Sequence, residues 1–152
     1  MAKPGPRQRI VPVTDDERAK WPSGVIVPLH PPYADARGAI QPLVDVDMKS
    51  CVLISSKAGS VRANHYHRTD WHFCYVLSGF IEYYHRPVGS TAAPAHVTVR
   101  AGQLFFTPPM AEHAMVFPED TVFLTLGRNS REQEAYEEDV VRIDPIEPRG
   151  RA

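Results

Sequence analysis

The chain has 152 residues, 43% hydrophobic and 23% charged, and its 17 Lys and Arg against 18 Asp and Glu leave a formal net charge of -1. That size and balance suit one domain with an apolar core, and the near-neutral charge excludes nucleic acid as the principal partner. No apolar run approaches the roughly 20 residues of a membrane span, no leader pattern opens the chain, and the two cysteines, Cys51 and Cys74, suit a reduced cytoplasmic setting better than a disulfide framework.

In chain order, residues 1–24 read as an extended N-terminal arm, because Pro4, Gly5, Pro6 and Pro22 oppose any long regular element. Residues 25–144 read as the folded barrel and 145–152 as a C-terminal tail. From Val25 onward, short apolar runs alternate with turn residues. They are 25–27, 39–40, 43–44, 51–54, 73–77, 81–84, 97–99, 104–107, 114–117, 122–126 and 140–143. This spacing predicts an all-β sandwich or barrel. Ser78-Gly79 joins two of the runs as a tight hairpin signal. Phe73, Val76, Leu104, Phe106 and Leu124 are its expected core. One segment, Arg131 to Glu138, has helical character and is polar nearly all round.

The unusual feature is histidine. His65 and His67 stand at i and i+2, so on a strand both imidazoles point to one side. His72 opens the next apolar run, and His113 opens a later one after Pro108-Pro109-Met110. Isolated histidines satisfied by core hydrogen bonds are the plain alternative, but four at these spacings favour one shared cavity. Neutral imidazole is a ligand for Zn, Cu, Fe and Ni, and four imidazoles leave a divalent ion's charge uncompensated. Such a site favours an anionic ligand and disfavours Mg and Ca, which prefer oxygen donors.

These residues resemble the two motifs of the cupin superfamily. The first runs from Gly59 through His65-Tyr66-His67 to Gly79, with His72 where the family has Glu. The second runs from Gly102 through Pro108-Pro109-Met110 and His113 to Phe117, with Met110 where the family has Gly and Phe117 where it has Asn. The resemblance implies a cupin double-stranded β-helix, a jelly-roll barrel, with His65, His67, His72 and His113 as ligands of one divalent transition metal. Zn, Fe, Ni and Cu come ahead of Mn. His72 is either the fourth ligand or a residue behind three others.

Two shorter strings are similar to the sugar-nucleotide epimerase and isomerase branch of that superfamily. They are Asp35-Ala36-Arg37-Gly38 and Arg62-Ala63-Asn64-His65-Tyr66. In that branch the His is a general base, the Arg binds nucleotide phosphate and no metal is used, so His65 has two competing roles. Arg37 and Arg62 are the implied substrate-binding residues, although Asp35 to Gly38 also reads as a plain turn. With a metal on His65 the proton must be moved by another group, for which Glu112, Tyr66, Tyr83 and Asp70 are the candidates.

The expectation is therefore a homodimeric, metal-dependent isomerase or epimerase. Its substrate is small, polar or anionic and carbonyl-bearing, in the range of a sugar or sugar nucleotide. The alternatives are a mononuclear non-haem dioxygenase and a non-catalytic small-molecule-binding barrel.

Overall fold

The computed structural model describes residues 10–148; the outer parts of the expected arm and tail, residues 1–9 and 149–152, lie outside them. The strands are β1 (Ile26–Val27), β2 (Tyr33–Asp35), β3 (Gly38–Ile40), β4 (Ser50–Ser56), β5 (Val61–His67), β6 (His72–Ser78), β7 (Phe80–Pro87), β8 (Ala95–Arg100), β9 (Leu104–Thr107), β10 (Ala111–Val116), β11 (Thr121–Gly127) and β12 (Val140–Arg142). Helix α1 is Asp15–Ala19 and helix α2 is Gln133–Asp139. One five-stranded antiparallel sheet has the order β1-β9-β6-β11-β4, and the second has β12-β5-β10-β7-β8. β2 and β3 pair only with each other. Among the described residues no helix is long and apolar enough to cross a membrane.

The two sheets close on each other because each presents alternate apolar side chains inward. β11 is the clearest case. Thr121, Phe123 and Thr125 are buried, while Val122, Leu124 and Leu126 between them are only half-buried. The inner core joins Cys74, Val76, Ile81, Tyr83, Val99, Phe105, Phe117 and Phe123, drawn from both sheets. Gly79 makes the β6–β7 turn at φ +77°, and a Cβ there would lie 2.4 Å from Thr121 Oγ1 and 2.5 Å from the Asp120 carbonyl. Only glycine fits.

The expected single core divides in two. Val76 belongs to the inner core, but Phe73, Leu104 and Phe106 form a second cluster with Trp71. Leu124 is half-buried, on the opposite side of β11 from Phe123. Strand alternation sends Phe73 to the outer face of the first sheet while Cys74 and Val76 face inward. The covering residues of the second cluster come from the N-terminal segment: Trp21, Val27, Leu29, Val44, Val46 and Met48.

The chain just before these residues holds α1, a helix of five residues and so no long regular element. Its signal is Thr14-Asp15-Asp16-Glu17, a capping box in which the Thr14 side chain accepts from the Glu17 N–H and the Glu17 carboxylate from the Thr14 N–H. Glu17 also accepts from Trp71 Nε1 at 3.3 Å and from Arg128 Nε at 2.7 Å, tying the segment to the barrel. The Arg128 hydrogen bonds, against the opposing effect of burial, hold the Glu17 pKa down at about 2. The stability contributed by ionised Glu17 is full above its ordinary value of 4.5 and is lost as the pH falls towards 2. Thermal melts of wild type and Glu17→Gln should therefore differ at neutral pH and draw together below pH 4.5. A difference that stays constant through that window contradicts this assignment.

Candidate metal and ligand cavity

Three strands deliver the histidines. β5 and β10 are neighbours, with His65 opposite His113, and β6 brings His72 from the facing sheet. A bulge aims the first pair. The β5–β10 register shifts after His113, and Ala63 and Asn64 take φ of 70° and 54° in succession. Two consecutive left-handed non-glycine residues are costly. The Asn64 side chain gains a compensating bond, accepting from the Ile146 N–H at 3.0 Å, so the start of the expected C-terminal tail is packed against the bulge. Bulges of this kind re-aim side chains beside functional sites.

His65, His67 and His113 converge. Their ring centroids lie 4.7 Å apart for His65 with each of the other two and 6.0 Å for His67 with His113. One nitrogen from each of the three lies within 4.8 Å of the others, and so do one nitrogen each of His67 and His72 and a carboxylate oxygen of Asp70. His72 packs edge-on against His67 at 4.7 Å, but its Nε2 is bonded to Asp70 Oδ2 at 2.9 Å.

Behind the imidazoles stand fixed acceptors. His113 Nδ1 lies 2.9 Å from the Ala111 carbonyl, which can only accept, so Nδ1 carries the proton and Nε2 keeps its lone pair. His67 Nδ1 is 3.4 Å from Asp139 Oδ2. Asp139 itself accepts from the Thr69 N–H (2.9 Å), the Thr69 hydroxyl (2.6 Å) and the Asp70 N–H (3.0 Å). Asp70 accepts from the Asn129 N–H at 2.9 Å. Burial, then the neighbouring imidazoles, pushes His65 far below its ordinary pKa, and burial brings His113 down to about 3. Burial also lowers His67, against the opposing Asp139. Burial works against the charge of Asp139, but its bonds from His67, Thr69 and Asp70 prevail and keep it ionised.

This arrangement fits a transition ion. The donors are neutral nitrogens, and the outward ring nitrogens of His113 and His67 face a carbonyl and a carboxylate in the manner of ligating histidines. Among the described residues neither ring nitrogen of His67 has a hydrogen-bond partner: Nδ1 faces Asp139 at 3.4 Å, and Nε2 is a buried atom that an ion would satisfy. The donor set carries no oxygen for Mg or Ca.

The histidines line a cavity of about 150 Å³. Of the residues singled out in the sequence, Arg62 lines it, with its guanidinium bonded to Ser56 Oγ (2.7 Å) and the Ser55 carbonyl (3.0 Å). Tyr83 is fully buried one layer behind, its hydroxyl 2.8 Å from Thr107 Oγ1, and Thr107 lines the cavity. Tyr66 and Glu112 are corrections to the expected proton-transfer set. Each is adjacent in sequence to a cavity histidine and so points to the opposite side of its strand. The Glu112 carboxylate is paired with Arg86 at 2.7 Å. Arg37 is also apart from the cavity: it sits exposed at the β2–β3 turn, paired with Asp35 at 2.6 Å. Three residues not expected from the sequence join the site, all from the segment around α2. Tyr136 lies 5.6 Å from His67 and 6.4 Å from His65, Arg131 stacks on it, and Asp139 backs His67.

Residues 52–127 match the family of the cupin domain. No curated protein matches the chain. Among solved structures, the sugar 3,4-ketoisomerase QdtA from Thermoanaerobacterium thermosaccharolyticum, in complex with TDP, superposes with a TM-score of 0.60 at 17% identity, covering 74% of this chain and 83% of that one. The dTDP-6-deoxy-D-glucose-3,5-epimerase RmlC from Legionella pneumophila, in complex with dTDP-4-keto-L-rhamnose, gives 0.61 at 17% identity over 78% and 71%. The capsular polysaccharide assembling protein CapF from Staphylococcus aureus gives 0.57 at 20%, over 78% of this chain and 35% of that one. At these identities the likeness establishes a shared fold.

Asp139→Ala would strand the buried N–H groups of Thr69 and Asp70 and remove the partner of His67. The expected destabilisation is about 2–4 kcal/mol in urea unfolding, from roughly 1–3 kcal/mol per stranded group. A loss under about 1 kcal/mol would mean that water replaces the carboxylate.

Proposed function

The chain belongs to the cupin family, and from that premise we propose that it is a metal-dependent isomerase or epimerase of a small anionic, carbonyl-bearing substrate, a keto sugar or a derivative of one. The observation that carries the reading is the convergence of His65, His67 and His113 around the unpartnered, buried Nε2 of His67. The likeness to structures described as keto-sugar isomerases and epimerases supports the reaction class.

His65, His67 and His113 would hold the ion. When bound, such an ion supplies Lewis acidity towards a carbonyl oxygen. The remaining work falls to this chain's own groups. His72 has Nε2 bonded to Asp70, so its Nδ1 is the nitrogen free to take a proton from the carbon beside the carbonyl and to return it. Asp70, fixed by the Asn129 N–H, orients that ring through its bond to Nε2. Tyr83 acts only through Thr107 and is a positioning residue. A cationic side chain lining the cavity meets the anionic part of the substrate. The small cavity excludes bulk water from the exchange.

A neutral three-imidazole set also suits a redox ion, which makes a dioxygenase the second reading. Oxygen consumption by the iron-loaded protein would favour it. A homodimer is part of the proposal. Tyr33 and Ile40 face each other across the isolated β2–β3 hairpin, and both are largely exposed, as are Leu53 and Leu77 on the barrel.

Two measurements test the main reading. Elemental analysis should find about one transition ion per chain, and His65→Ala or His67→Ala should lose most of it while the barrel still melts cooperatively, since the apolar core does not depend on the ion. Proton exchange into a panel of keto sugars (free, phosphorylated and nucleotide-linked) in D2O, followed by NMR, should detect turnover. His72→Asn should keep the metal and slow that exchange about 100-fold or more. Metal-free protein that exchanges at the full rate overturns the metal requirement.

A further inference from the structure

The segment running into α2 places an arginine and a tyrosine over the histidine cavity that neither motif contains. Tyr136 packs edge-on against His67 and His65 and lines the cavity. The Arg131 guanidinium carbon sits 4.4 Å above the Tyr136 ring, and Arg131 lines the same cavity while remaining exposed to solvent. A guanidinium seated over an aromatic ring still has N–H groups with which to meet a carboxylate or phosphate.

The partners of the neighbouring arginines make Arg131 distinctive. Arg62, the position that the resemblance assigns to phosphate, already spends its Nε on Ser56 and one terminal nitrogen on the Ser55 carbonyl. Arg128 is held by Glu17 and by the backbone carbonyls of Val11 and Pro12. Arg142 is held by Glu137. Among the described residues Arg131 makes no side-chain hydrogen bond and no ion pair, although Glu132, Glu134, Glu137 and Glu138 surround it in the sequence. A cation left unpaired in so acidic a segment, fixed by an aromatic platform at the edge of a cavity of neutral imidazoles, is suited to an incoming anion.

We propose that Arg131, carried on Tyr136, is the residue that recognises the anionic group of the ligand, and that Arg62 has become a structural brace between β5 and β4. This rests on the reading of the cavity as a binding site for an anionic carbonyl compound. The cavity holds about 150 Å³, below the roughly 300 Å³ at which pockets for drug-sized ligands begin. The carbonyl-bearing part therefore fills the interior, and its phosphate or carboxylate stays at the mouth beside Arg131. Arg131 thus decides which ligands are retained, and Tyr136 sets where their charge sits.

The test is calorimetric titration of the full-length, metal-loaded protein with inorganic phosphate, malonate and TDP, for wild type, Arg131→Gln, Arg131→Lys, Arg62→Gln, Tyr136→Phe and Tyr136→Ala. In wild type at least one of the three anions binds. Arg131→Gln weakens it about tenfold or more, as loss of a charge-assisted pair requires. Arg131→Lys restores part of the phosphate affinity but little of the malonate affinity, because an ammonium cannot pair a carboxylate bidentately. Arg62→Gln and Tyr136→Phe change the affinity by no more than about twofold, whereas Tyr136→Ala weakens it with Arg131 intact. The anion that binds best in wild type identifies the source of the charge: a monoester, a carboxylate or a nucleoside diphosphate. Binding that is equal in wild type and Arg131→Gln, a larger loss in Arg62→Gln, or no anion binding at 10-millimolar order overturns the proposal. Metal content, read on the same samples, separates this result from the proposed function. An ion retained while Arg131 proves irrelevant defeats only the clamp, and an Arg131-dependent anion site in a protein that never binds an ion defeats only the metal.

Discussion

The carboxylate of Asp139 stands where three separate parts of the chain meet. It ends α2, it accepts from Thr69 and Asp70 in the turn between β5 and β6, and it faces His67. Each contact controls something different. The bonds to Thr69 and Asp70 fix the turn that carries His67 at one end and His72 at the other. The approach to His67 decides which ring nitrogen points into the cavity. The position of Asp139 at the end of α2 sets where Tyr136 lies, one turn earlier, and Arg131 precedes the helix and packs on Tyr136. A buried carboxylate is tolerable only with such a set of donors, so cavity, turn and covering helix are bound into one arrangement.

The same carboxylates alter the electrostatics expected of four histidines. Counted by residue type, four neutral imidazoles leave an ion's charge unopposed. In the folded chain Asp70 stands 2.9 Å from His72 and Asp139 3.4 Å from His67. The negative charge that a ligating Glu would have supplied is therefore restored one layer out. This agrees with a cavity in which ion binding falls to His65, His67 and His113, proton handling to the His72–Asp70 pair, and anion recognition to a guanidinium at the rim.

Much of this was legible in the residues. The spacing of His65, His67, His72 and His113 brought out both motifs, and strand alternation correctly put the imidazoles on one side. The same rule applied to Tyr66 and Glu112 turns them away. Nearness along a strand is a poor guide to nearness in space, because consecutive residues face opposite sides. β5 shows the converse: it contains no apolar run, since its inward positions are histidines, and only the i, i+2 spacing marks it as a strand. Asp139 was hidden because Glu137-Glu138-Asp139 reads as one solvated acidic run. Only the packing of α2 distinguishes the third residue from the other two. The second apolar cluster escaped notice because Phe73 and Val76 share a run yet belong to opposite faces of the sheet.

Access to the cavity follows from how α2 is held. Its single buried residue is Asp139, so the body of the helix contributes little apolar surface to the core. Its stability depends on its ends. Beyond the C-terminal end, β12 pairs with β5, setting Val140 opposite His67 and Arg142 opposite His65. Before the N-terminal end, Arg128 is anchored to Glu17 and to backbone carbonyls of the N-terminal segment. Segments with few buried contacts open at low cost in free energy. The stretch between these anchors, containing Arg131 and Tyr136, is of that kind, and both of those residues line the cavity. The groups proposed to recognise the anion thus sit on the part of the chain least held by the core, whereas the histidines beneath them are carried by the two sheets.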